Sequence, residues 1–326
     1  MKTRAFLVYK PGGPSSMKWA DVSLASPTEG EVLIRHTAVG FNLVDTKFRN
    51  GLHSLPHLPH GIGVEGAGII EKIGKGVTEF KPGDRVAYAG GAPSGSYSEA
   101  RVRSTNGLMK IPAWMDDKTA AGVLSKGRTA EYLFHRTHKL KKSDTILFYA
   151  AAGGVGLFAC QMARTIGATM IGVVSTAEKG KLAKRYGCKH IIVTQDQNDI
   201  ITGVRKLTKG HGVDVVFDSV GKSYWSATLD AVRPLGLVVT FGIASGELEI
   251  LRTDLSKKSI FLTSPTTNNY MATDADRAKS TRNLFKMIKS GAVKVPIRHV
   301  YDLKDAVKVH SDVEARLTAG VVVMMT

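Results

Sequence analysis

The stretch "GIGVEGAG", Gly61 to Gly68, sets one carboxylate, Glu65, among glycines and an alanine. Such a carboxylate could ligate a metal if thiolates or imidazoles stood near it. The chain has two cysteines, Cys160 and Cys188, too few for a four-thiolate zinc site, and none lies in the first 159 residues. Val64 precedes Glu65. His53, His57 and His60 occur in "GLHSLPHLPHG" at spacings of four and three, which would share a helix face. Pro56 and Pro59 prevent a helix there. No metal is expected. Glu65 reads as a buried structural carboxylate or as a hydrogen-bond acceptor beside a cofactor.

A second stretch, "DTILFYAAAGGVGLFACQMA", carries a stronger signal. An apolar strand ends, a glycine-rich turn follows and a helix begins. Ala151, Gly153 and Gly156 occupy the three small-residue positions of a dinucleotide fingerprint, with alanine for the first glycine. Gly153 lets the backbone approach a pyrophosphate, Gly156 lets helix and strand pack closely, and the helix N-terminus offers free N–H groups to the anion. The next strand, "TMIGVVS", ends at Ser175, with Thr176 and Lys179 just beyond, where an enzyme that binds NAD carries Asp or Glu for the ribose 2′-hydroxyl. An acid would repel a 2′-phosphate, whereas a serine and a lysine bind one. The expected cofactor is NADPH.

The elements around these stretches divide the chain in two. At 326 residues it is longer than a single core usually grows, so two domains are expected. Residues 1–120 read as mostly strands and turns, punctuated by "KPGGP", "SPTEGEV" and "FKPGDRV". From about Ala120 helix and strand alternate, which implies a parallel, doubly wound sheet. "YWSATLDAVRPLG" reads as one of its helices and "LVVTFG" as the strand that follows. The last strand, "AGVVVMMT", fits either domain. No apolar run reaches the ~18 residues of a membrane helix, and the N-terminal apolar stretch is too short for a signal peptide; a cytoplasmic protein without membrane association is expected. Cys160, in an apolar helical stretch, reads as a small core residue. The net charge of +17 is carried by basic residues spread from Lys2 to Arg316, which reads as a basic surface that attracts anionic cofactors.

Taken together, "GFNLVDTKFRNG", "GVEGAGIIEKIGKGV", "KPGDRVAY", "AAAGGVGLFACQMAR", "GVVSTAEK", "VVFDSVG", "FGIASG" and "LFKMIKSGAVKV" resemble, in content and order, the zinc-free quinone oxidoreductases of the medium-chain dehydrogenase/reductase superfamily, the group that includes zeta-crystallin. The resemblance runs almost end to end. It implies an α/β architecture with a GroES-like β-barrel domain that begins with residues 1–122, a Rossmann NADPH-binding domain (123–264) and a C-terminal segment (265–326) that returns to the first domain. It also implies a homodimer made through the cofactor-domain sheets. By resemblance, Asn42 and Lys126 line the nicotinamide cleft, and Ala152, Gly153, Gly154, Val155, Gly156, Ser175, Thr176, Lys179, Ser219, Phe241 and Gly242 complete the cofactor site. Asn42, Lys47, His53 and Lys126 are the expected catalytic set. Lys47 and His53 stand where the family often has tyrosines, so they keep donors but lose aromatic surface. Arg128 and Thr194 also depart from the common residues.

Without zinc, hydrogen-bond donors must polarise the acceptor. A quinone tolerates this because it already accepts hydride well, whereas a simple ketone needs a Lewis acid. The sequence therefore favours an NADPH-dependent quinone reductase. Two rivals remain: an enone or enoyl-thioester reductase of the same superfamily, suited to the basic Lys47, Lys126 and Arg128, and a nucleic-acid-binding protein that retains the fold, suggested by net charge but lacking a basic stripe interleaved with aromatics.

Overall fold

Strand β1 (Lys2–Val8) alternates exposed and buried residues over most of its length and pairs antiparallel with β2 (Met17–Ser23). Strand β3 (Glu31–Gly40) is buried along most of its length because it is paired on both sides. Helix α1 (Leu43–Asn50) and the short β4 (His60–Gly61), which adds to β1, precede β5 (Glu65–Ile73), the antiparallel partner of β3. Strands β6 (Arg85–Ala89), β7 (Ala100–Ser104) and β8 (Met109–Lys110) extend this sheet. These elements belong to the first of two units of the computed structural model, which describes residues 1–90 and 95–326. The first unit comprises Met1–Lys126 and Ile297–Thr326, the second Gly127–Pro296.

Helix α1 is absent from the strand-and-turn reading of residues 1–120. Its signals are local. The Asn42 amide donates to the Asp45 carboxylate at 2.8 Å and the Asp45 amide donates to the Asn42 carbonyl at 2.9 Å, a reciprocal cap. Gly51 at φ 85° closes the other end.

Helix α2 (Asp117–Tyr132) runs across the unit boundary. In the second unit come β9 (Thr145–Tyr149), α3 (Gly154–Ile166), β10 (Thr169–Val174), α4 (Ala177–Arg185), β11 (His190–Val193), α5 (Gln197–Leu207), β12 (Val213–Asp218), α6 (Trp225–Ala231) and β13 (Val232–Thr240). They are followed by α7 (Arg252–Ser256), β14 (Phe261–Thr263), α8 (Thr267–Tyr270) and α9 (Asp274–Lys289). The six strands form one parallel sheet in the order β11-β10-β9-β12-β13-β14. Strand order reverses between β9 and β12, the topological switch point where such sheets open a crevice at their C-terminal edge. Val216, Leu147 and Ile171 are buried in the core beneath it.

The expected helix "YWSATLDAVRPLG" is divided. It stops at Ala231, and Val232 already pairs with Val213. Pro234 lacks the N–H a helix interior needs, and Leu235 adopts φ 58°, so 234–236 form an irregularity within β13.

The chain then re-enters the first unit with β15 (Ile297–Asp302), α10 (Ala306–Glu314) and β16 (Val321–Met325). Strand β16 pairs antiparallel with β3, Met324 opposite Val39, so it completes the first sheet rather than the parallel one. The crossing falls at Ile297, later than the expected 265, because the side chains of α9 are satisfied within the second unit. Ser280 and Asn283 both donate to the Glu131 carboxylate. No helix among the described residues is long and apolar enough to cross a membrane.

Candidate active site

In the first unit, three elements bring three polar side chains together. Asn42 lies at the N-cap of α1, Glu65 opens β5, and Lys126 lies on α2. Glu65 is fully buried, and Asn42 and Lys126 are nearly so. Glu65 Oε2 accepts from Asn42 Nδ2 at 2.9 Å and from Lys126 Nζ at 3.0 Å. Glu65 Oε1 accepts from the Ser125 amide at 2.8 Å. Lys126 Nζ also donates to Asn42 Oδ1 at 2.9 Å, which closes a ring of three side chains. The remaining Asn42 N–H faces the Gly40 carbonyl at 3.4 Å. Thus both polar ends of the Asn42 amide are engaged internally. The ammonium has three N–H groups and uses two of them on this ring.

Asp45 lies one layer deeper. It is fully buried, and its Oδ2 accepts from the Asn42 amide and from the Tyr97 hydroxyl at 2.9 Å, while Oδ1 has no partner. Burial pushes its carboxyl up to about 7, against the lowering effect of these two donors. The far end of α1 is tied by Arg49, whose buried guanidinium donates to the Gly12 carbonyl, to His310 Nδ1 at 3.1 Å and to the Glu314 carboxylate. Burial and the Arg49 charge push the His310 imidazole down to about 3. The sequence pattern assigns no role to Arg49, Tyr97 or His310; only tertiary contacts mark them.

Lys47 and His53 are placed together on α1 and the loop after it. The His53 amide donates to the Lys47 carbonyl at 3.0 Å, and the His53 ring lies 5.5 Å from that of Phe48.

Among the described residues, no three His, Cys, Asp or Glu side chains converge. The donor set at Glu65, an ammonium, an amide N–H and a backbone N–H, saturates the carboxylate with hydrogens and does not fit a zinc ion. Val64 beside it offers no ligand atom.

In the second unit, the fingerprint turn follows β9 at the switch point. A Cβ on Gly156 would lie 2.5 Å from the Ala150 carbonyl oxygen and 2.6 Å from the Ala151 carbonyl carbon, so only glycine allows α3 to pack this closely on the turn. Gly153 caps α3 in an extended conformation and, as a glycine, makes no side-chain cap. The Gly153 amide donates to the Ala150 carbonyl at 2.8 Å and holds the turn. Ala152, Gly153, Gly154, Val155 and Gly156 form a cradle of small residues at the N-terminus of α3, which fits a pyrophosphate. Ser175 and Thr176 follow β10, and Thr176 caps α4 through the Lys179 amide at 3.3 Å. Glu178 is turned to its own amide and to Thr176, which hold its carboxyl below the usual range. Ser219 follows β12, with its hydroxyl 3.5 Å from the Tyr149 carbonyl. Phe241 and Gly242 follow β13, and a Cβ on Gly242 would lie 2.8 Å from the Ser219 carbonyl. The expected cofactor positions of this unit thus share one edge of one sheet. Thr194, at the end of β11, donates to Asp199 at 2.7 Å and lines a cleft of about 640 Å³ with Gln195, Asn198, Ser223 and Tyr224. Arg128 donates to the Thr281 hydroxyl within the same unit.

A strand-rich first unit whose sheet takes in the C-terminal strand β16 beside β3, in one chain with a doubly wound sheet that carries a dinucleotide turn, defines a medium-chain dehydrogenase/reductase. Residues 28–145 match the family described as alcohol dehydrogenase GroES-like domain, and residues 154–287 match the family described as zinc-binding dehydrogenase. A quinone oxidoreductase of Pseudomonas aeruginosa is 42% identical over 316 residues, covering 96% of this chain and 97% of that protein. A 2-haloacrylate reductase of a Burkholderia species is 38% identical, covering 98% of each. The crystal structure of Escherichia coli quinone oxidoreductase complexed with NADPH superposes with a TM-score of 0.95 at 37% identity, covering 99% of this chain and 100% of that one. Within the medium-chain superfamily, the chain belongs to the quinone oxidoreductase family.

Proposed function

We propose that this protein is an NADPH-dependent quinone reductase. The observation that carries this reading is the Lys126 ammonium: buried, held by Glu65 and Asn42, with one N–H left over. A quinone is a ready acceptor of reducing equivalents, and a fixed hydrogen-bond donor suffices to stabilise the charge that develops on its oxygen. The nicotinamide supplies the reducing equivalents. The chain's own residues bind and orient. The Ala152–Gly156 cradle with Ser219, Phe241 and Gly242 holds the dinucleotide, Ser175, Thr176 and Lys179 take its 2′-phosphate, and Lys126, oriented by Asn42, donates to the acceptor. Lys47 and His53 flank the substrate as basic donors. The P. aeruginosa and E. coli relatives, named quinone oxidoreductases, support the activity, and the NADPH complex of the latter supports the cofactor.

Loss of NADPH absorbance in the presence of a flat ortho-quinone tests the reading, with NADH and an α,β-unsaturated carboxylate run beside it. Turnover of the quinone with NADPH supports it; tight NADPH binding without quinone turnover overturns it. One alternative has a specific observation in its favour. The Burkholderia relative is named for reduction of an α,β-unsaturated acid, and Lys47 and His53 suit an anionic acceptor. Turnover of the unsaturated carboxylate in place of the quinone selects that reading.

We further propose a cytoplasmic homodimer. Strand β14 is a sheet edge with Phe261 exposed, and Leu235 and Leu251 are exposed as well. Such an apolar edge is a template for a second copy. The net charge of +17 supports a nucleic-acid role only through nonspecific attraction, which would show as RNA retention that falls steeply with salt and is displaced by NADPH.

A further inference from the structure

We propose that Glu65 is a positioning residue for the reaction: with the Asn42 amide, its buried carboxylate fixes the Lys126 ammonium and leaves one N–H aimed at the substrate oxygen that gains charge. The identity of that oxygen rests on the quinone-reductase reading; the geometry does not.

The argument begins with placement. Glu65 has no exposed surface and accepts three hydrogen bonds, from Ser125 N, Asn42 Nδ2 and Lys126 Nζ. The backbone has given way to make this possible. Gly40 faces Glu65 across the β3–β5 pair, and any side chain at Gly40 would occupy the space of the carboxylate. A buried ion pair of this kind contributes little to stability compared with an apolar pair of the same volume. Its effect is orientation. Lysine carries a flexible four-carbon stem and a rotatable ammonium. Two acceptors on two different elements, Glu65 Oε2 and Asn42 Oδ1, remove that freedom. They also fix the amide, because Asn42 Oδ1 can accept from Lys126 only while Nδ2 faces Glu65. The carboxylate therefore sets both the charge balance and the direction of the remaining N–H. An ammonium without its carboxylate in so dry a site is strongly disfavoured.

Glu65→Gln keeps the shape, removes the charge and turns an NH₂ toward at least one of the three donors. Two measurements on the full chain test the proposal. In the ¹H–¹⁵N spectrum of ¹⁵N-lysine protein, the ammonium signal that disappears in Lys126→Met marks Lys126. It is expected in the unsubstituted protein, protected by its acceptors, and lost in E65Q. In steady-state assays, Lys126→Met is expected to lower kcat about a hundredfold, the effect of removing one preorganised donor. E65Q should lower kcat at least about tenfold, with KM for the quinone within about threefold, the mark of an interaction made in the transition state. The double variant should be no slower than Lys126→Met alone, since both act through one ammonium.

A lysine signal unchanged in E65Q, an unchanged kcat, or losses that add in the double variant would each overturn the positioning role. If E65Q does not fold, Asn42→Ala removes the ammonium's other acceptor and carries the same expectations. If the unsubstituted protein reduces the unsaturated carboxylate and not the quinone, the quinone reading fails alone: the kinetic comparison is made with that acceptor, and the lysine spectrum reads the geometry without any substrate.

Discussion

Gly40 and Glu65 stand directly opposite each other across the β3–β5 ladder, and a Cβ on Gly40 would lie 2.7 Å from Glu65 Oε2 and 2.1 Å from the Ala121 carbonyl oxygen. Backbone and a saturated carboxylate cannot move aside as a flexible side-chain end would. Gly40→Ala is therefore expected to destabilise the first unit by about 3 kcal/mol, the upper end of the usual range for overpacking. Thermal melts check this. A Gly40→Ala protein that melts with the parent would mean that β3 and α2 separate more readily than their contacts imply.

The cofactor preference is expected to reside at the end of β10. Ser175→Asp places a carboxylate where the 2′-phosphate is proposed to sit, and a like-charge contact of this kind costs several kcal/mol. The ratio of kcat/KM for NADPH over NADH should fall by about a hundredfold, since each 1.4 kcal/mol is about tenfold. Lys179→Ala should raise KM for NADPH and leave KM for NADH unchanged. Equal effects on both cofactors would remove the 2′-phosphate from this position.

Asp45 predicts a pH dependence of stability. Its carboxyl is pushed up to about 7 in the folded chain, against an ordinary value of 3.8. Between those values the folded state holds a proton that the unfolded state has released, so this group's contribution falls as pH rises, by up to about 1.4 kcal/mol per pH unit. His36 and His310, both pushed down to about 3 chiefly by burial, act in the opposite sense: the unfolded state binds protons below about 6.5 while the folded state does not. Comparing Asp45→Asn with the parent cancels the histidines. The stability of the variant relative to the parent should rise steadily from pH 4.5 to 7, as read from chemical denaturation at each pH. A constant difference would mean that Asp45 is already ionised in the folded chain.

In the second unit, Phe261 and Leu235 expose apolar surface beside the β14 edge, close together because Leu237 pairs with Phe261. If copies of the chain associate there, Phe261→Lys should convert the dimer to monomer in light scattering while NADPH binding persists. A dimer that survives the substitution would place the interface elsewhere.

The dinucleotide turn could be read from sequence because all of its requirements are local: an apolar strand, glycines at fixed spacing and a helix start within twenty residues of chain. The cap of α1 was equally local, in the spacing of Asn42 and Asp45 and in Gly51, yet the surrounding strand patterns obscured it. The boundary between α6 and β13 failed for the opposite reason. Residues 225–236 have a helical apolar period, and pairing of Val232 with Val213 overrides it from Val232 onward. The ring of Asn42, Glu65 and Lys126 joins residues far apart in sequence. Resemblance suggested two of them and the glycine-rich stretch marked Glu65 as a buried carboxylate or acceptor, but nothing in the residue pattern shows that Glu65 stands between Asn42 and Lys126.

The strand that completes the first sheet, β16, is made long after its partner β3, with the whole second unit emerging between them. During synthesis the contiguous second unit can acquire its core while the Ala38–Gly40 end of β3 still lacks its partner β16. The nascent first unit is thus an unfinished sheet awaiting a distant tail, a species prone to mispairing with neighbouring chains. Ribosome-bound chaperoning, and the speed with which the tail docks, would then govern how much active protein a cell recovers.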